Sequence, residues 1–341
     1  MDQPRLGADH DVVVPVRCDP AGLAGPRRRE AAGAAWRRTS RGFYVPAEVE
    51  ESPVQRVAEA GVLVPRRTAV TGWGALCWLG AEWFTGTRPD GSHLPVPLAG
   101  ARRTLREQPL LHLCEERIDR HEIDVVDGLR VTSAVRSVLF EVRYAASLVE
   151  AVVALDMAYA ADLVTPEEVG GWVEDHSSYT GIGQARRAVG LADENSWSPQ
   201  ETRMRLRWLD LELGAPLANR PVFDLRGRHL ATPDLVDPVA GVAGEYDGAA
   251  HLDTDRRRTD LGRDDRLRGA GLETFAVVAG EMRAGGAFEP RLRAAYSRAG
   301  ERDAPRGWTL DPPSWWRETT TVAARRALPE HLRGRLLRRA A

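Results

Sequence analysis

The stretch Pro233-Asp234-Leu235-Val236-Asp237-Pro238, followed after Val239-Ala240-Gly241 by Val242-Ala243-Gly244-Glu245-Tyr246-Asp247-Gly248 and then His251, decides how this chain is read. Val242 to Tyr246 has the composition of a short buried strand that ends at a Gly turn. Side chains alternate along a strand, so Glu245 and Asp247 share one face and Tyr246 takes the other. Two carboxylates on one face repel unless positive charge stands between them. A divalent cation with oxygen ligands answers that need. Asp234, at the end of the preceding extended segment, is placed to supply a third carboxylate.

Working outward, Ser198-Pro199-Gln200-Glu201 opens a helix that runs to Leu213. Ser198 caps it, Pro199 takes the first helical position, and Glu201 completes a capping box. A second helix spans Thr254 to Gly269, Gly271 stops it, and Leu272 to Val278 follows as a strand. A strand–helix–strand crossover makes a parallel pair, hence an α/β domain. Asp237 before Pro238 reads as a turn residue.

This arrangement resembles the PD-(D/E)xK nuclease superfamily over roughly 198–278. In detail it resembles the small branch related to very-short-patch repair endonucleases, the DUF559 family. The resemblance implies that Asp234 and Glu245 bind Mg²⁺ or Mn²⁺ beside a scissile phosphate. It also implies that Glu201 joins the metal shell, although capping alone explains that residue. The family's lysine is replaced here by Asp247, and the chain contains no lysine at all. Its basic side chains are arginines, which stay protonated and cannot act as a base. The proton acceptor is then Asp247 or His251. Asp247-Gly248 reads equally well as a turn dipeptide. On the following helix Arg257 and Arg263 are candidates for holding a phosphate by bidentate contact. A surface helix with ordinary ion pairs is the competing reading of the same arginines.

Length and composition set the frame. A chain of 341 residues suggests two or three domains, and 43% hydrophobic residues suffice for real cores. The net charge of −2 gives no global basic field. Charge is uneven, however. From Asp19 to Ala47 six arginines face two acids, net +4, and from Arg317 onward seven face two, net +5. These are candidate phosphate-contacting regions or solvated helical faces. The three cysteines form neither a metal spacing nor a disulfide framework. With no apolar leader and no apolar run of membrane length, a cytoplasmic protein is expected.

Arg27 to Trp36 reads as a short basic helix after Pro26, and Arg37-Arg38-Thr39-Ser40-Arg41-Gly42-Phe43-Tyr44-Val45-Pro46 as a turn and β-wing. This order resembles the N-terminal winged helix of AbiEi-type antitoxins and puts Arg37, Arg38 and Arg41 forward as DNA contacts. Pro53 to Leu79 reads as helix, loop, helix. Val125 to Ser133 reads as a hairpin end that feeds a helix. Ser147 to Asp156 and Thr165 onward begin further helices. Trp315-Trp316, after Pro312-Pro313, reads as an anchor for the tail or as a base-stacking pair. A basic helix is expected from Thr321 to Leu337.

The expected architecture is an α/β, restriction-endonuclease-like C-terminal core (195–300), a mixed sheet flanked by helices. Before it stand a winged-helix-like DNA-binding segment (1–50) and a helical AbiEi-like middle domain (51–180), and a basic tail (301–341) follows. The expected function is a metal-dependent DNA endonuclease. The competing expectation is a DNA-binding regulator or antitoxin-like protein with a degenerate nuclease fold and a cognate toxin or defence partner. A pure interaction scaffold is the third.

Overall fold

Asp127 and Gly128 both adopt positive φ, 44° and 74°, the signature of a two-residue hairpin turn. They join Ile123–Val126 to Leu129–Thr132, and Ser133 then caps the helix Ala134–Tyr144 by accepting from the Arg136 N–H. The computed structural model describes residues 6–100, 105–106, 108–247, 254–278, 280–283, 285–303 and 305–336, with 254–261 and 334–335 described by backbone alone. Contacts divide the chain into two units, Met1–Ala145 with Glu168–Ala185, and Ala146–Glu167 with Arg186–Ala341. Among the described residues no helix is long and apolar enough to cross a membrane.

The first unit departs from the mostly helical expectation. It holds a five-stranded mixed sheet in the order Leu111–Cys114, Val96–Ala99, Ala69–Val70, Leu129–Thr132, Ile123–Val126. All five strands are only two to four residues long, and one contains Pro97, so beyond the hairpin end expected from Val125 to Ser133 neither length nor periodicity announces them. Pro53–Gly61 and Gly72–Trp78 are the two helices expected between Pro53 and Leu79. The expected turn and β-segment is present as the hairpin Trp36–Ser40 with Phe43–Pro46, joined by the short strand Val16–Arg17. The basic helix before it is not. Residues 28–35 form turns, with one α-turn from Arg27 to Ala31 that stops where Gly33 bonds back to Glu30. Gly33 carries the helix-opposing entropy that the Ala-rich surroundings conceal.

In the second unit a four-stranded mixed sheet runs Glu273–Val278, Val242–Asp247, Leu235–Asp237, Leu217–Ala218. The first pair is parallel in register from Val242 opposite Glu273 to Asp247 opposite Val278, and Thr254–Gly269 is the crossover helix between them. The other pairs are antiparallel. Alternation along the strands feeds two cores. Leu235 and Val242 pack with Met204, Trp208, Phe275 and Phe288 on one face. Val236 and Ala243 pack with Leu267, Leu272 and Trp308 on the other. Gly244 is required by this packing, because a Cβ there would stand 2.7 Å from Phe275 Cζ and 2.9 Å from Met204 Cε.

A second, three-stranded antiparallel sheet joins His229–Ala231, Val222–Asp224 and Trp308–Thr309. The segment expected as a tail thus supplies a strand. The expected helix from Thr321 is two helices, Val322–Arg326 and Glu330–Leu336, interrupted at Pro329. The helix Leu148–Ala160, read from the sequence with the middle region, belongs to this second unit. Its buried Asp156 accepts from Asp193 N at 2.8 Å, Thr202 Oγ1 at 2.9 Å and Arg205 Nη2 at 2.9 Å, which ties it to Pro199–Asp210.

Candidate active site

Strand register brings the acids together. Leu235 pairs with Gly244, so one step further Asp234 lies opposite Glu245. Asp234 Oδ2 accepts the Tyr246 N–H at 2.7 Å, and its carbonyl accepts the Asn219 N–H at 2.9 Å. Asp234 therefore stitches three strand ends at one edge of the mixed sheet. Tyr246 turns away into the core, as alternation requires. Asp247 ends the strand and is exposed. Asp234, Glu245, Asp247, Arg263, Asp264 and Thr274 are among the residues lining one cavity of about 590 Å³.

Glu201 approaches this edge from the helix Pro199–Asp210. Ser198 caps this helix as the sequence announces, its Oγ accepting the Glu201 N–H at 3.2 Å and donating to Glu201 Oε1 at 2.9 Å. The other Glu201 oxygen accepts from Trp197 N at 2.9 Å and Asn219 Nδ2 at 2.7 Å. Asn219 was invisible to motif reading. Its one signal is that it stands in the left-handed region, φ 46°, where Asn is tolerated. Burial, and then the nearby charge of Glu201, push the Asp234 carboxyl up to about 7, against the Tyr246 N–H and Arg263, which lower it.

The cation among these acids is Arg263. Its guanidinium lies 2.9 Å from Glu245 Oε1 and also donates to the Thr232 carbonyl. Asp264, on the cavity wall, pairs with Arg268 at 2.9 Å. Among the described residues no three acidic, His or Cys groups stand gathered as a ready metal cluster. The donor chemistry nevertheless suits a hard divalent cation. The groups are carboxylate oxygens, and the charge of Glu201 disfavours the ionised form of Asp234 beside it. Asp234 and Glu245 are the residues that would hold such an ion, in competition with Arg263 for Glu245. His251 lies outside the described residues. Arg257 falls in the crossover helix, where only the backbone is described.

The proposed DNA contacts of the first unit divide. Arg37 is an internal partner, with its guanidinium 2.7 Å from the buried Glu59 and 3.1 Å from Glu51. Those two pairs take up its charge. Arg38 and Arg41 are exposed on the hairpin. In the C-terminal basic region Arg325 is also internal, fully buried against Asp162. No family model matches the chain, and comparison with curated proteins and with solved structures returns no similar protein.

Proposed function

We propose that the chain is a divalent-cation-dependent endonuclease that hydrolyses phosphodiester bonds in DNA, with a restriction-endonuclease-like core in its second unit. The observation that carries this reading is the convergence of Asp234, Glu245 and Asp247, from adjoining strand ends, on one cavity that also receives Arg263. A helix, an antiparallel strand pair, a crossover helix and a parallel strand, in that order, support the fold assignment.

When bound by Asp234 and Glu245, Mg²⁺ or Mn²⁺ supplies the Lewis acidity for attack of water on phosphorus. The remaining work falls to side chains. Asp247, exposed at the cavity mouth, accepts the proton from the attacking water, with His251 as the alternative acceptor. Arg263 transfers its fork from Glu245 to a non-bridging phosphate oxygen, where a guanidinium stabilises the charge that builds up. Asn219 holds the Asp234 backbone through its N–H, and Glu201 fixes Asn219 by accepting from its side-chain amide. The exposed Arg38 and Arg41 of the first unit's hairpin support DNA binding as the wing of a winged helix.

A second reading has one observation in its favour. The Arg263–Glu245 pair puts a protein cation where the ion would stand, as in a degenerate nuclease fold kept by a DNA-binding regulator with a cognate toxin or defence partner. Arg263→Ala separates the two. If Arg263 and the cation compete for Glu245, the variant binds Mn²⁺ on the order of ten-fold more tightly by calorimetry while its cleavage rate falls. Unchanged, undetectable Mn²⁺ binding in both proteins would favour the regulator.

A further inference from the structure

Trp315 and Trp316 do different things. Trp316 is the tail's anchor, with its ring 5.0 Å from the buried Phe223 and 5.0 Å from His229. Trp315 meets Phe223 and Trp316 at steep angles, 84° and 69°, and keeps 61% of its surface exposed. Anchoring does not account for it. Leu225, in the adjoining turn, is 70% exposed, and the same turn rests on Pro313, where a Cβ on Gly227 would lie 3.2 Å from Pro313 Cβ. The result is a small apolar patch with an indole at its centre.

The charge around this patch is mixed, and among the described residues its acids are engaged while two of its arginines are not. Asp224 is consumed by the backbone N–H groups of Arg226 and Arg228 and by the Arg228 guanidinium at 3.1 Å. Glu318 accepts from the Thr320 N–H at 2.7 Å and from its hydroxyl, and Asp311 from the Thr309 hydroxyl at 3.1 Å. Arg226 and Arg317 are exposed and have no ion-pair partner among the described residues. From here contacts run unbroken to the acids. Trp316 meets His229, and His229 Nε2 lies 3.0 Å from Thr232 Oγ1. The Thr232 carbonyl accepts from Arg263, which reaches Glu245. The exposed Arg266 flanks this path, donating to the Leu230 carbonyl at 3.1 Å.

We propose that Trp315, with Arg226 and Arg317 beside it, is a stacking platform for single-stranded nucleic acid, and that the strand's phosphates follow Arg266 and Arg263 toward the acid cavity. An indole face accepts any base, but only one already out of a duplex stack. Spare arginines at the patch and along the path match a phosphate backbone. The proposal rests on the nuclease reading for its direction toward the cavity, and it narrows the substrate to single-stranded or locally opened strands.

The test is tryptophan fluorescence of the full chain titrated with oligothymidylate in EDTA, so that binding is read without cleavage. The chain has ten Trp, so the difference between proteins is the readout rather than the raw signal. Wild type should be quenched on binding. Trp315→Ala should bind roughly 5- to 100-fold more weakly and lose most of the quench, while Trp315→Phe stays within a few-fold of wild type. The exposed position predicts an unchanged melting temperature for both variants. Equal affinity of wild type and Trp315→Ala, or binding of duplex but not single strand, overturns the platform. Loss of cleavage with binding intact would instead point to the acids, so the two readings fail separately.

Discussion

Asp234→Asn is expected to lower phosphodiester cleavage by on the order of 10³-fold while making the protein more stable at neutral pH. The two effects have one cause. Asp234 faces Glu201 at an enclosed strand end, and its carboxyl is raised to about 7. A carboxyl whose folded value lies above its unfolded value stabilises the fold most when both states are protonated. That contribution is lost as pH rises from about 4 through about 7. Asn still accepts the Tyr246 N–H but carries no charge, so its advantage in melting temperature should grow across that window and vanish below it. The proposed chemistry accounts for a carboxylate that costs stability at the cavity. Thermal melts of both proteins across this range, beside cleavage assays, check the pairing. Equal cleavage, or a variant less stable above pH ~7, would separate Asp234 from the site.

The largest loss of stability is expected from Arg325→Ala. This guanidinium is fully buried and donates to Asp162 Oδ1 at 2.6 Å and to the carbonyls of Tyr159 at 2.8 Å, Glu194 at 3.0 Å and Thr319 at 3.1 Å. Truncation strands one carboxylate and three carbonyls away from water. Removing one partner of a buried pair costs about 3–5 kcal/mol, so the second unit should melt well below its wild-type temperature. Arg325→Lys should recover only part of this, because one ammonium cannot reproduce the fork. Calorimetric melts of the three proteins measure the effect. A shift of a degree or less for the Ala variant would contradict the structural role.

Much of the second unit can be read from its residues. The crossover helix Thr254–Gly269 has the bounds its composition predicts, and Val242–Asp247 begins where the apolar run begins. Ser198 caps the helix as its sequence announces, and Glu201 meets it through the Ser198 hydroxyl. Asp237 is a turn residue, accepting from Val239 N at 2.8 Å, although it also receives the Tyr296 hydroxyl. Leu217–Ala218 and Leu235–Asp237 escape because strands of two or three residues have no period to detect. In the first unit's sheet the hairpin end read from Val125 to Ser133 is present, while the other strands, two to four residues long, go unannounced.

At the site, alternation and the hairpin register make the grouping of Asp234, Glu245 and Asp247 legible. The role of Arg263 is not, because an arginine on a helix has the same sequence signature whether it faces solvent or a carboxylate eighteen residues away. The same ambiguity hides Arg37 and Arg325. In a chain whose every basic side chain is Arg, net charge overstates the surface available to phosphates, since several of these guanidiniums are internal cations.

The central claim, that these carboxylates catalyse hydrolysis, is tested most directly by incubating supercoiled plasmid with Mg²⁺ or Mn²⁺ and purified wild type beside Glu245→Ala. Glu245 is partly exposed and pairs with one arginine across the cavity, so the variant should keep its fold, which circular dichroism verifies. The account predicts nicked or linear DNA with wild type and intact plasmid with the variant. Equal cleavage by both proteins, or intact plasmid with both, would contradict it.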